Sequence, residues 1–512
     1  GAPDRGPHRG GALGTGQGGA PRIGGSIMRL ALALLVMYAG LAAGLTYWQV
    51  VQAQELTEAP GNPLTLAAAR TEPRGRILDA RGTVLARNIE GEDGLPRRKY
   101  SCRATTPIIG DKSVRFGATG LESAYDAEMV GLGRSSPAER LLRKFRSDPY
   151  DPQDLVLSID ARLQGRAFDL LGGDRGAVVA IEPATGRVLA MVSAPTFNAN
   201  LIVDPARAEA AFAQLNEDPP EASRLLNRAT QGRYTPGSVF KIVTAIAAVG
   251  SGAVDADTVY EEQPAAEEDG LRVEGFRIRD GHHTFTGNEA LNFVEATEVS
   301  CNIYFALAGL ATGEDDLFEW SRRLGFGSRI PFELPTAPSF VSGGTQAEDG
   351  FDDSVELASA AYGQGETFVT PLQMALVAQA VANDGQLMKP KLVDELRAES
   401  GSVRTLSPES LSRVTSASQA ALIQEAMQAA VEGEFGEDFA GAAKVPGVPT
   451  AGKSGTAELG GEGEPHSWFI GFAPVEEPQI AVAVIVERAG FGRERAVPLA
   501  GQLMETYLDL AE

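Results

Sequence analysis

Ser238-Val239-Phe240-Lys241 places a hydroxyl three residues before an amine. A chain of this length supplies such a pair by chance, so the pair alone proves nothing. Two further sets follow it in order, Ser300-Cys301-Asn302 and Lys453-Ser454-Gly455-Thr456. Together they provide a nucleophile, an adjacent amine, a second hydroxyl and a second amine next to a glycine. Those are the parts needed to attack a peptide carbonyl and hold an acyl-enzyme.

Each set has its own local logic. Pro236-Gly237 punctuates the chain just before Ser238, and an apolar helical pattern follows. Ser238 is therefore expected at a helix start, where free N–H groups and the helix dipole favour developing negative charge. Lys241 then lies on the same helix face. To take a proton from Ser238 the lysine must be neutral, against a reference pKa of about 10.4. Burial and a second cation, for which Lys453 is the candidate, would lower it. Ser300 can relay a proton to a leaving amine, and Asn302 offers both donor and acceptor to a substrate backbone. Gly455 removes a side chain where a substrate lies close to the strand. Lys453, Ser454 and Thr456 offer donors to a carboxylate.

The order Ser-x-x-Lys, Ser-x-Asn, Lys-Ser-Gly resembles that of the penicillin-binding proteins, specifically the monofunctional class B transpeptidases. The resemblance implies Ser238 as nucleophile, Lys241 as general base, and Ser300 and Lys453 as further catalytic groups. It also implies Asn302, Ser454, Gly455 and Thr456 as substrate contacts. The backbone N–H groups of Ser238 and Thr456 would form the oxyanion hole, where one donor is worth about 2.7–4 kcal/mol. The implied activity is cross-linking of wall stem peptides, with β-lactams acylating the same serine. A membrane-anchored β-lactam sensor or a β-lactamase-like hydrolase would share the fold. A mainly structural role beside a multi-span glycosyltransferase of the SEDS family is the third reading. The resemblance implies that protein as the partner through the transmembrane helix and pedestal, because the segment before the catalytic domain is too short for a built-in glycosyltransferase and strand polymerisation must come from another protein.

Weaker likenesses support the match. Tyr362-Gly363-Gln364-Gly365-Glu366 with Thr370-Pro371 resembles a loop and helix start that support the site. Ser467 to Pro474 resembles the strand beside the third motif, and His466 before it reads as an ordinary surface histidine at a strand start. Arg74 to Ala86 and Gly117 to Glu122 resemble motifs of the non-catalytic pedestal that precedes the transpeptidase domain in this family.

Around the motifs, the pattern predicts an α+β domain over residues 153–512. Two apolar strand pairs, Ala177–Ile181 with Arg187–Val192 and Trp468–Phe472 with Ile480–Val486, flank helical stretches at 239–249, 371–382 and 418–431. Terminal hairpins with helices between them predict one antiparallel sheet flanked by helices. Asp160 is a candidate N-cap. Residues 52–152 read as a mainly β pedestal with a tight hairpin near Arg81-Gly82. Residues 28–51 read as a transmembrane helix: no charge occurs from Leu30 to Gln54, and Tyr47 and Trp48 sit at its far end. Arg5, Arg9, Arg22 and Arg29 precede it and Glu55 and Glu58 follow it. That bias predicts a disordered cytoplasmic tail over residues 1–27 and an extracytoplasmic catalytic domain. Gly14, Gly16 and Gly19 match a dinucleotide-binding spacing, but no strand precedes them and a membrane helix follows.

The 512 residues carry a net charge of −23, which argues against nucleic acid as a partner. The two cysteines, Cys102 and Cys301, and the four histidines show no zinc-site spacing. We therefore expect no metal, no cofactor and a buried free thiol at Cys301.

Overall fold

The computed structural model describes residues 23–47, 74–91, 96–131, 151–280, 290–343, 350–460 and 463–511. The glycines at 14, 16 and 19, Trp48, Glu55, Glu58, His282 and His283 lie outside the described residues. The chain divides into a unit up to Ala68 and a unit from Ala69 onward.

In the first unit a single helix spans Ile23–Thr46. It starts five residues before the boundary at 28, so the expected disordered tail loses its last residues to the helix. The stretch Met28–Thr46 is long and apolar enough to cross a bilayer. At about 1.5 Å per residue, its 19 residues rise roughly 28 Å. The Thr46 hydroxyl donates to the Ala42 carbonyl at 2.8 Å, so this polar group is satisfied within the helix.

The second unit contains two main sheets. The first has six strands in the order Val403–Thr405, Val393–Ala398, Gln153–Leu157, Ile77–Leu78, Val84–Glu90, Pro96–Tyr100. The hairpin read from Arg74 to Ala86 is present, with Ile77 opposite Ala86. The Asp79 carboxylate closes its turn by accepting from the Arg81 and Thr83 amides. Ile77–Leu78 then pairs in parallel with Gln153–Leu157. The sheet thus crosses the boundary drawn at 152/153, and three of its strands come from each side. Glu122 of the Gly117–Glu122 motif is fully buried beside it. Arg74 Nε and Arg98 Nε each donate to one of its oxygens at 2.7 Å. The Tyr100 hydroxyl adds a third donor at 3.3 Å.

The second sheet carries the site. Its antiparallel order is Ala451–Ala457, His466–Ala473, Ile480–Val486, Gly176–Ile181, Val188–Ala194. The terminal hairpins therefore share one sheet, as the pattern predicted. Its inner strands are apolar without alternation because both faces are covered. Side chains alternate between faces: Ala177, Val179, Ala483 and Ile485 enter one core, while Val178, Ala180, Val482 and Val484 enter the other. The Pro371–Ala382 helix lies in the first core, buried at every position, as expected of a helix apolar all round. Helices Ala161–Leu171 and Ala496–Ala511 close the second. Each valine or isoleucine so taken from water contributes about 1.5–3 kcal/mol. Asp160 caps the Ala161–Leu171 helix by accepting from the Arg162 amide, and Thr370 caps the Pro371–Ala382 helix through the Gln373 amide.

Glu122→Ala would strand the buried Arg98 guanidinium. We expect it to destabilise the chain by about 3–5 kcal/mol in urea unfolding.

Candidate active site

Ser238 does not begin an α-helix. It sits in a 3-10 turn, Gly237–Phe240, from which the α-helix Lys241–Ser251 continues. In 3-10 geometry residues i and i+3 eclipse, so Lys241 stacks over Ser238. The turn is clamped from two sides. The Gly237 amide donates to the Gly363 carbonyl at 2.9 Å. A Cβ on Gly237, which has φ +58, would lie 2.5 Å from the Thr456 carbonyl oxygen, and one on Gly363 would lie 1.8 Å from the Gly237 carbonyl oxygen. Trp468 Nε1 holds the Thr235 carbonyl at 3.1 Å. Tyr234 is tied by its backbone to Val369 and by its hydroxyl to Glu487, which also pairs with the buried Arg228. The Tyr362–Glu366 loop thus supports the nucleophile through Gly363.

The second motif lies where Lys241 ends. Cys301 is the N-cap of helix Asn302–Thr312, its sulfur accepting from the Tyr304 amide. Ser300 before it has φ +60, a conformation that costs a non-glycine residue about 1–3 kcal/mol. Lys241 Nζ meets three acceptors here: the Ser300 carbonyl at 2.5 Å, Asn302 Oδ1 at 2.7 Å and Ser300 Oγ at 3.2 Å. An ammonium has three protons, so the second motif accounts for all of them. The Phe305 ring covers the nitrogen at 5.6 Å. The Asp280 carboxylate accepts from the Asn302 amide.

The third motif occupies Ala451–Ala457, the edge strand of the second sheet. Lys453 is 1% exposed, and Nζ donates to the Ser454 carbonyl at 3.1 Å. Lys453 shares its face with Gly455; Ser454 and Thr456 point to the other. The space beside Gly455 belongs to the protein. A Cβ there would meet Val239 Cγ1 at 3.0 Å and the Pro236 carbonyl oxygen at 3.1 Å, so the glycine admits the nucleophile turn. Thr456 Oγ1 accepts from the Gly492 amide at 3.2 Å, which leaves its proton to donate outward.

Burial lowers Lys241 to about 8. Charge repulsion couples this amine to Lys453, the second amine the sequence pointed to. The repulsion falls on Lys453, which burial and then the Lys241 charge drive well below the ordinary lysine value. Asp280 opposes both shifts.

Two side readings also change or sharpen. His466 opens its strand half-buried: it packs edge-on against Tyr234 at 5.5 Å and accepts from the Arg488 amide. Burial pushes it down to about 4, so it is neutral near pH 7. Cys102 and Cys301 are both free, and Cys301 is buried, with its thiol facing Glu267. Asp280, Arg228 and Gly492 were missed from sequence because no periodicity or spacing ties them to the motifs.

The clearances at the clamp predict a graded series. Gly363→Ala should lower the melting temperature most, Gly237→Ala less and Gly455→Ala least, in thermal unfolding of each variant.

The penicillin-binding protein transpeptidase domain family matches residues 176–505. The chain is 34% identical over 480 residues to the peptidoglycan D,D-transpeptidase PbpA of Mycolicibacterium smegmatis, covering 91% of this chain and 94% of that one. It is 31% identical over 502 residues to PbpA of Mycobacterium tuberculosis, covering 94% and 99%. The structure resembles the ceftriaxone acyl-enzyme complex of penicillin-binding protein A from Mycobacterium tuberculosis with a TM-score of 0.75, at 30% identity over 86% of this chain and 100% of that one. Three motifs gathered around one buried lysine, a family match across the second sheet and its helices, and full-length relatives place this chain in the class B penicillin-binding proteins.

Proposed function

We propose that this protein is a membrane-anchored peptidoglycan D,D-transpeptidase that works through a Ser238 acyl-enzyme. The observation that carries this reading is the buried Lys241 amine, three residues after Ser238 on the same turn and hydrogen-bonded to both polar residues of the second motif. Ser238 Oγ attacks the penultimate carbonyl of a D-Ala–D-Ala stem while neutral Lys241 takes its proton. The peptide bond breaks, and the departing D-alanine amine receives a proton through Ser300. A neighbouring stem amine then attacks the ester, restores the Ser238 hydroxyl and leaves a cross-link. The Ser238 and Thr456 amides face the developing oxyanion. Lys453, Ser454 and Thr456 hold the stem carboxylate, and Asn302 contacts the stem backbone. A β-lactam opens on the same serine, and the acyl group persists.

The Met28–Thr46 helix is the anchor. With arginines before it and glutamates after it, the N-terminus lies in the cytoplasm and the catalytic unit outside the cytoplasmic membrane. Strand polymerisation then comes from a SEDS-family glycosyltransferase docked on the anchor helix and the pedestal.

Ser238→Ala should abolish covalent labelling by fluorescent penicillin; retained labelling would overturn the acyl-enzyme reading. The wild-type label should persist, because loss within seconds would mark a β-lactamase. Since the neutral lysine is the base, acylation should fall as pH drops below about 8, approaching tenfold per unit. The full chain should co-purify from detergent with a multi-span glycosyltransferase, and a chain whose anchor helix is exchanged should recover less of it.

A further inference from the structure

The Lys241–Lys453 pair sits among few charged neighbours. From the edge strand comes Lys453 itself. From the turn before helix Asn302–Thr312 comes Cys301, whose thiol burial keeps protonated; Glu267 stands behind it and accepts a hydrogen bond from it. From the loop that clamps Gly237 comes Tyr362, also held protonated by burial, and Glu458 acts on that tyrosine. From the segment after strand Phe276–Ile278 comes Asp280. Among the described residues, Asp280 is the carboxylate whose field reaches both lysines.

Its placement is fixed by structure. Asp280 accepts from the Asn302 backbone amide. The Asn302 side-chain oxygen accepts from Lys241 Nζ at 2.7 Å. Carboxylate and amine are therefore held through one residue, at the first turn of one helix. A fixed opposite charge at short range favours the ammonium form.

We propose that Asp280 is a positioning residue for acylation: its carboxylate, tied to the Asn302 amide, balances the buried amine pair and stabilises the ammonium that forms when Lys241 takes the Ser238 proton. This rests on Lys241 being the base. The carboxylate thus has two opposed effects. It delays the release of the resting proton, so that Lys241 becomes a base at higher pH. It also lowers the energy of the charge that appears during attack.

Those effects separate Asp280 from a residue that merely holds the fold. Asp280→Asn keeps an oxygen for the Asn302 amide and removes the charge. Acylation by penicillin, followed as rate against pH in the full chain, should show its acid limb moved down by about half a unit to one unit, with a plateau about tenfold lower. Asp280→Glu should return the midpoint toward that of the wild type. If the asparagine variant proves unstable, Asp280→Ser reads the same midpoint. An unchanged midpoint in the neutral variants would overturn the proposal, even with a lower plateau, because loss of fold changes the height alone. A wild-type profile with no limb near pH 8 would instead overturn the assignment of Lys241 as base.

Discussion

The burial of the Lys241 amine is the constraint on which the site depends. An amine with no access to water must find acceptors at once or give up its proton, and Lys241 does both in part. Its three acceptors come from the second motif, its cover from Phe305, and its neighbour amine from the edge strand. None of these is near it in sequence. The second sheet must therefore bring the last fifth of the chain beside the middle, and helix Asn302–Thr312 must begin at Cys301 and not one residue earlier. Ser300 is forced to φ +60 in the process, and the ladder of hydrogen bonds around it holds that strain in place.

Much of this was legible in the sequence because its cause is local. The Asp160 and Thr370 caps, the Arg81-Gly82 turn and the paired strands around 177–192 and 468–486 follow from side-chain chemistry within a few residues. The three motifs were legible by type and order. What stayed hidden depends on packing across long separations. Gly455 looked like room for a substrate, yet its open side is filled by Pro236 and Val239. Nothing near His466 tells that Tyr234 will pack edge-on against it. The electrostatic partnership of the lysines was foreseen, but the acceptors that hold each amine were not. Lys241 has three; Lys453 has one, the carbonyl of its own neighbour.

The glycines at 237 and 363 show how tightly the nucleophile is held. They bring three backbone segments within contact of one another: the turn at Ser238, the edge strand at Thr456 and the loop at Gly363. Side chains supply the chemistry, but main chain supplies the precision, because carbonyls and amides have fewer ways to move.

The first sheet crosses from the pedestal into the catalytic body, and this has a mechanical consequence. Strand Gln153–Leu157 is hydrogen-bonded on one side to Ile77–Leu78 and on the other to Val393–Ala398. A module joined by a flexible linker can swing freely, whereas these strands can part only by breaking a shared ladder. A load on strands Ile77–Leu78 and Val84–Glu90 therefore passes through Gln153–Leu157 into Val393–Ala398 as shear across one continuous ladder.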